Sequence, residues 1–278
     1  MPAIEKGYAA IAEGQLHFRR ASGHDQHAMP LVLLHASPAS SRSLVPIMER
    51  INGGRDLIAF DTPCNGQSCA PQIDEPEIGD FADMLNRACD TMGLDEIAIY
   101  ATHTGAHVAA AWASLHPARV KAVMLDGVAL LDQAQRDDML AHYTPVKAPD
   151  DSGSQFHWAW QYIRDQMIFF PHYKKDAEHM RAGGVFDASV LHDLVLDVLN
   201  NLTTYHMPYR AVFRQDVRRD LAAISQPVLV MSDGDGPLDE AASELRAIMP
   251  DAGRADNCDS AAAKAAAIDS FLKEHGYG

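Results

Sequence analysis

Two histidines four residues apart, His103 and His107, stand in the stretch Ala101-Thr102-His103-Thr104-Gly105-Ala106-His107. An imidazole exchanges its proton near neutral pH, which suits it to general acid–base work. Its neighbours decide whether such a ring can be aimed. Ala101 lies two places before His103 and Gly105 two places after. Small residues at those positions are what a sharp strand-to-helix turn needs to hold one side chain above a sheet. With Thr104 at the tip, the flanking residues would be Thr102 and Ala106, and the branched Thr102 would crowd the turn. His103 is therefore the preferred tip.

The pair also has the H-x-x-x-H spacing that places two rings on one helical face, as in zinc sites. No HExxH glutamate accompanies it, and a third ligand would have to be Asp126 or Asp235. No metal and no cofactor is assigned. His107 reads more simply as a residue packed in the first helical turn and bonded locally.

The elements around this turn follow from hydrophobic patterning. Glu96 to Tyr100 is a β-branched strand, and Val108 to Leu115 an alanine-rich helix. Leu31 to Leu34, Leu57 to Phe60, Ala122 to Leu125 and Val228 to Met231 are short apolar runs, as in strands buried on both faces. Helices are expected over Ser43 to Ile51, Ile78 to Met92 (closed by Gly93) and Ala261 to Glu274. Alternation around Gly14 predicts an antiparallel hairpin, Gly7 to Glu13 with Gln15 to Arg20. Strands alternating with helices give an α/β fold, a mostly parallel sheet flanked by helices. Residues 131–220 break that rhythm with helical patterns, aromatics and histidines. They are expected to form a helical cap over the strand ends, with residues 1–130 and 221–278 as the core domain. Of the cap residues, His157, Trp158 and Trp160 are candidates for a substrate pocket, which Ala36 would line from the core side.

Composition narrows the partners. A 278-residue chain with 47% hydrophobic residues can bury one large core. A net charge of −15 argues against nucleic acid and anionic membranes and leaves a small-molecule substrate. The four cysteines show no metal-binding spacing, and no secretory signal or membrane-length apolar run is present. A cytoplasmic location is expected, and a homodimer stays open.

Three segments together resemble the α/β-hydrolase fold. His35-Ala36-Ser37-Pro38 is similar to that family's His-Gly-x-Pro loop. Asp61-Thr62-Pro63-Cys64-Asn65-Gly66-Gln67-Ser68 is similar to its Asp-x-Pro-Gly-x-Gly-x-Ser stretch, and the turn at His103 to its nucleophile elbow. The resemblance implies an oxyanion hole from the backbone N–H groups of Ser37 and Thr104. It implies a catalytic acid at Asp235, with Asp233 second, and a loop-fixing rather than catalytic role for His35.

Two departures stand out. The tip carries histidine where the family usually has serine, and the loop Ala255 to Ser260 lacks the family's late histidine. An imidazole on the elbow reaches further than a serine hydroxyl and could fill both places, with Asp235 orienting it. His103 is then read as a general base, with direct nucleophilic attack as a lesser route. The leading expectation is a cofactor-free hydrolase for a small carbonyl compound. A lyase, dehydratase or isomerase using the same base is the runner-up, and an inactive binding member of the fold is the third reading.

Overall fold

A computed structural model describes residues 3–25, 27–51, 54–181, 187–232 and 242–277. Among these residues eight strands form one sheet: β1 (Ile4–Ile11), β2 (Gly14–Ala21), β3 (Leu31–Leu34), β4 (Leu57–Phe60), β5 (Ile97–Thr102), β6 (Val120–Asp126), β7 (Val228–Met231) and β8 (Gly253–Ala255). Their order is β1-β2-β4-β3-β5-β6-β7-β8, antiparallel through the first hairpin and parallel from β4 onward. The helices are α1 (Val45–Met48), α2 (Ile78–Met92), α3 (Thr104–Leu115), α4 (Gln133–His142), α5 (Ser154–Ile168), α6 (Ala188–Asn200), α7 (His206–Arg214), α8 (Val217–Ala222), α9 (Ala242–Ile248) and α10 (Ala261–Glu274).

The apolar runs behave as strands covered on both sides. Val32 and Leu34 face one core with α2 and α3, while Leu31 and Leu33 face the other with α1 and α10. Such double burial is why these strands read as continuous apolar stretches rather than alternating ones. Helix α2 opens on a reciprocal cap between Glu77 and Asp80 and ends at Gly93, whose φ of 69° needs no Cβ.

Three elements differ from expectation. The first hairpin turns at Ala12-Glu13 rather than at Gly14, which pairs with Ile11 as the first residue of β2. The helix expected over Ser43 to Ile51 divides into a 3₁₀ turn, Ser41–Leu44, and the short α1. Pro46 lies in the first turn of α1, where its missing N–H costs nothing, and it cannot extend the helix backward. Strand β8 was not expected, because Gly253-Arg254-Ala255 has no apolar pattern and is recruited by pairing with β7.

Helices α4 to α8 fill the interval between β6 and β7. They divide by what they pack against. Helices α5 and α6 share a small core of their own around Tyr162, Ile163 and Val198. Tyr209, Phe213 and Leu221, from α7 and α8, belong to the main core. Among the described residues no helix is long and apolar enough to cross a membrane.

Candidate active site

His103 stands between β5 and α3 with φ 48° and ψ −115°. A non-glycine residue there carries on the order of 1–3 kcal/mol of backbone strain, so its surroundings must enforce the conformation. Three contacts do so. The His103 N–H donates to Asp126 O at 2.8 Å, and the His103 carbonyl accepts from Ala106 N at 2.9 Å and His107 N at 3.2 Å. Gly105 lets α3 press against β3, since a Cβ there would sit 2.7 Å from the carbonyl oxygens of both Leu34 and His35. Ala101 is fully buried. The strained residue is thus His103, while Thr104 is helical and buried.

The His103 side chain is exposed and borders a cavity of about 340 Å³ that Ala36, Ser37 and Thr104 also line. Two amide planes at its floor are fixed by their own carbonyls. Ala36 O accepts from His35 Nδ1 at 2.9 Å and from Ala39 N at 3.0 Å, so the Ser37 N–H of the same planar peptide points the opposite way. The His103 carbonyl runs along α3, so the Thr104 N–H projects from that helix's N-terminal end, where amides have no intrahelical partner. His35 accomplishes this as a neutral ring. Its Nε2 accepts the Thr62 N–H at 3.0 Å, which leaves the proton on Nδ1, and burial pushes its pKa down.

Asp61 anchors the neighbouring loop. Its carboxylate accepts from Ser41 N at 2.7 Å, Gln67 N at 2.9 Å and His17 Nδ1 at 2.8 Å. Burial alone would raise its pKa, but the His17 bond and these amides outweigh it and hold the pKa far below the usual range. Gly66, at φ 55°, is required here because a Cβ would collide with this carboxylate.

His107 is buried under the elbow with both ring nitrogens committed. Nε2 accepts the Ala129 N–H at 3.3 Å and Nδ1 donates to Gln215 Oε1 at 2.8 Å. The Gln215 amide in turn donates to Asp220 Oδ2 at 2.9 Å. Burial lowers the His107 pKa to about 4, only partly offset by the Gln215 bond, so the ring is neutral. The Asp126 carboxylate is engaged elsewhere, by Tyr100 OH and Lys264 Nζ, each at 2.7 Å. Among the described residues no group of three His, Cys, Asp or Glu is placed to hold a metal.

Asp235 and Asp233 lie outside the described residues. The pocket candidates His157, Trp158 and Trp160 do not reach the cavity. His157 and Trp160 are exposed, and Trp158 stacks on Tyr162 at 4.9 Å beneath the Lys147 ammonium. Helix α5 instead presents Ile163, Gln166 and Met167 to the cavity, one turn further along. Aromatic spacing does not set the phase of that helix, because its small core takes up Trp158 and Tyr162. Phe170, one of the insert's aromatics, does line the cavity, while Tyr143, Arg181 and Tyr209 left no sequence signal. Tyr209 ties the insert to the floor, its hydroxyl donating to Ser37 O at 2.5 Å.

The model of the family described as "alpha/beta hydrolase fold" matches residues 29–182, more than half of the chain. The chain belongs to the α/β-hydrolase fold family. Solved structures agree on the fold. Cfl2 from Burkholderia cenocepacia is similar at 18% identity and TM-score 0.71, covering 99% of each chain. Epoxide hydrolase A from Mycobacterium thermoresistibile is similar at 15% identity and TM-score 0.72, over 98% of each. A haloalkane dehalogenase variant from Bradyrhizobium elkanii has 19% identity and TM-score 0.67, over 98% of this chain and 97% of that one. No curated protein matches the chain.

Proposed function

We propose that this α/β-hydrolase-fold chain is a cofactor-independent hydrolase of small carbonyl compounds, with His103 as general base. One observation carries the reading. An imidazole occupies the strained elbow and borders a 340 Å³ cavity whose floor holds two amides, Ser37 and Thr104, with their planes fixed. Strain of this kind persists where a site requires it. Fold relatives described as an epoxide hydrolase and a haloalkane dehalogenase support hydrolytic use of such a frame.

In this scheme His103 takes a proton from water as the oxygen attacks the carbonyl carbon. The former carbonyl oxygen becomes an oxyanion that accepts from the Ser37 and Thr104 N–H groups. Collapse expels the alcohol oxygen, which takes its proton back from the imidazolium. An ester and water give an acid and an alcohol. Asp235 is the proposed orienting carboxylate, and residues 131–220 serve as the cap that closes the site from above.

The test is hydrolysis of 4-nitrophenyl esters by wild type and His103→Ala. A positioned base contributes about 10²–10⁴-fold, and a loss of that size with an unchanged folded spectrum is expected. Fluorophosphonates should not label the protein, and product formed in ¹⁸O water should carry the heavy oxygen. Turnover without ¹⁸O would move the assignment to the lyase or isomerase reading. Unchanged hydrolysis by His103→Ala would remove His103 from the mechanism.

A further inference from the structure

Arg181 is the only Lys or Arg among the described residues lining the cavity, and none of those residues is Asp or Glu. The chain carries 38 acidic against 23 basic side chains, so most arginines find a carboxylate. Arg42, Arg119, Arg164, Arg214 and Arg218 each pair with one. Among the described residues Arg181 pairs with none. Its guanidinium lies over the Phe170 ring, 5.7 Å from the centroid, and Nη1 donates to the Gln166 carbonyl at 3.1 Å. Those two contacts hold the planar group in place while Nε and Nη2 keep their hydrogens for another acceptor.

The charge is felt inside. Burial pushes the Tyr143 hydroxyl up to about 12, and Arg181 is the charge that pulls it the other way. Next to it, one end of the Gln166 side-chain amide is buried without a hydrogen-bond partner. The other end meets the Tyr209 hydroxyl at 3.2 Å. The cavity therefore has a floor of amides, apolar walls and one held cation on the insert side.

We propose that Arg181 is a substrate-binding residue that selects carbonyl compounds bearing a carboxylate, the anion docking on its guanidinium while the reacting carbonyl lies over His103. The substrate class rests on the function proposed above, but the anion site does not. In an acidic protein, long-range charge repels anions, so a single fixed guanidinium at the cavity gives local selectivity for them. Arginine suits this task because its fork matches both carboxylate oxygens.

Two measurements test it. Glutarate and its neutral diamide are titrated calorimetrically into wild type, Arg181→Gln and Arg181→Lys. Glutarate should bind wild type at least about tenfold more tightly than the diamide, with the preference lost in Arg181→Gln and partly kept in Arg181→Lys. Equal binding of glutarate by Arg181→Gln, or of diamide and glutarate by wild type, overturns the proposal. In the second arm, kcat/KM for mono-4-nitrophenyl glutarate is compared with that for 4-nitrophenyl butyrate. A charge preference present in wild type and absent in Arg181→Gln supports the anchor. A preference that survives Arg181→Gln overturns it. Glutarate binding that depends on Arg181, with neither ester hydrolysed, upholds the anion site and removes the hydrolase reading instead.

Discussion

Gly105→Ala is the substitution that most directly probes the elbow. In an ordinary helix this change stabilises by about 1 kcal/mol, because alanine loses less backbone entropy. Here the new Cβ would stand 2.7 Å from two carbonyl oxygens, those of Leu34 and His35. That is roughly half an ångström inside a normal carbon–oxygen contact of about 3.3 Å. Both neighbours are backbone, in the middle of the sheet and in the loop that carries Ser37, so no side chain can turn aside. Overpacking of this kind costs about 1–3 kcal/mol, and rigid neighbours put it at the upper end. After subtracting the helix gain, a net loss of about 2 kcal/mol is expected, or roughly 4–8 °C in Tm. Gly79→Ala is the control. Its Cβ would meet only the Leu115 Cδ1, at 3.3 Å, a side-chain end that can move. Urea unfolding of the two variants beside wild type decides the matter. A Gly105→Ala protein as stable as Gly79→Ala would refute the tight helix–strand approach, and with it the register that puts His103 at the tip.

Other outcomes follow from the same geometry. His103→Gly should lower turnover by the same roughly 10²–10⁴-fold as His103→Ala yet stabilise the fold by about 1 kcal/mol in denaturant titration, because it relieves the backbone at φ 48°; a destabilised variant contradicts the strain. His107 has a folded pKa of about 4 against 6.5 when exposed, so the unfolded chain binds its proton first. Its contribution is intact above pH 6.5 and falls away towards pH 4, by about 3 kcal/mol in all. The pH slope of unfolding should be shallower in His107→Asn, and an NMR titration midpoint near 6.5 for this ring would rule the idea out. Lys264→Met leaves the buried Asp126 carboxylate without its cation and should cost about 3 kcal/mol, the low end because a fifth of the lysine side chain is in water. Adding Asp126→Asn should recover much of that loss in thermal unfolding, and a strictly additive double variant would show the pair uncoupled.

The sheet was readable because its strands are buried on both sides. Leu31–Leu34, Leu57–Phe60 and Val228–Met231 appear in the structure with the bounds their apolar runs suggested, as do α2 and α10. Boundaries moved where polar residues hide backbone pairing. Thr102 extends β5 by bonding beside Asp126, and Thr104 already belongs to α3. The sharp strand-to-helix turn at His103 was legible from Ala101 and Gly105 because small residues there answer a steric demand. Contacts that bridge long sequence separations left no local trace. Gln215 meets His107 across 108 residues and Tyr209 meets Ser37 across 172. The aromatic-rich start of α5 pointed to a pocket, but helical phase turns Trp158 into the insert's own packing and leaves Trp160 in solvent.

Asp126 holds the His103 amide through its backbone and receives its counter-ion from α10. During synthesis the turn at His103 leaves the ribosome well over a hundred residues' worth of translation before Lys264 does. Until Lys264 is in place the Asp126 carboxylate has no cation to meet it, so the turn at His103 gains its full support only once α10 has docked.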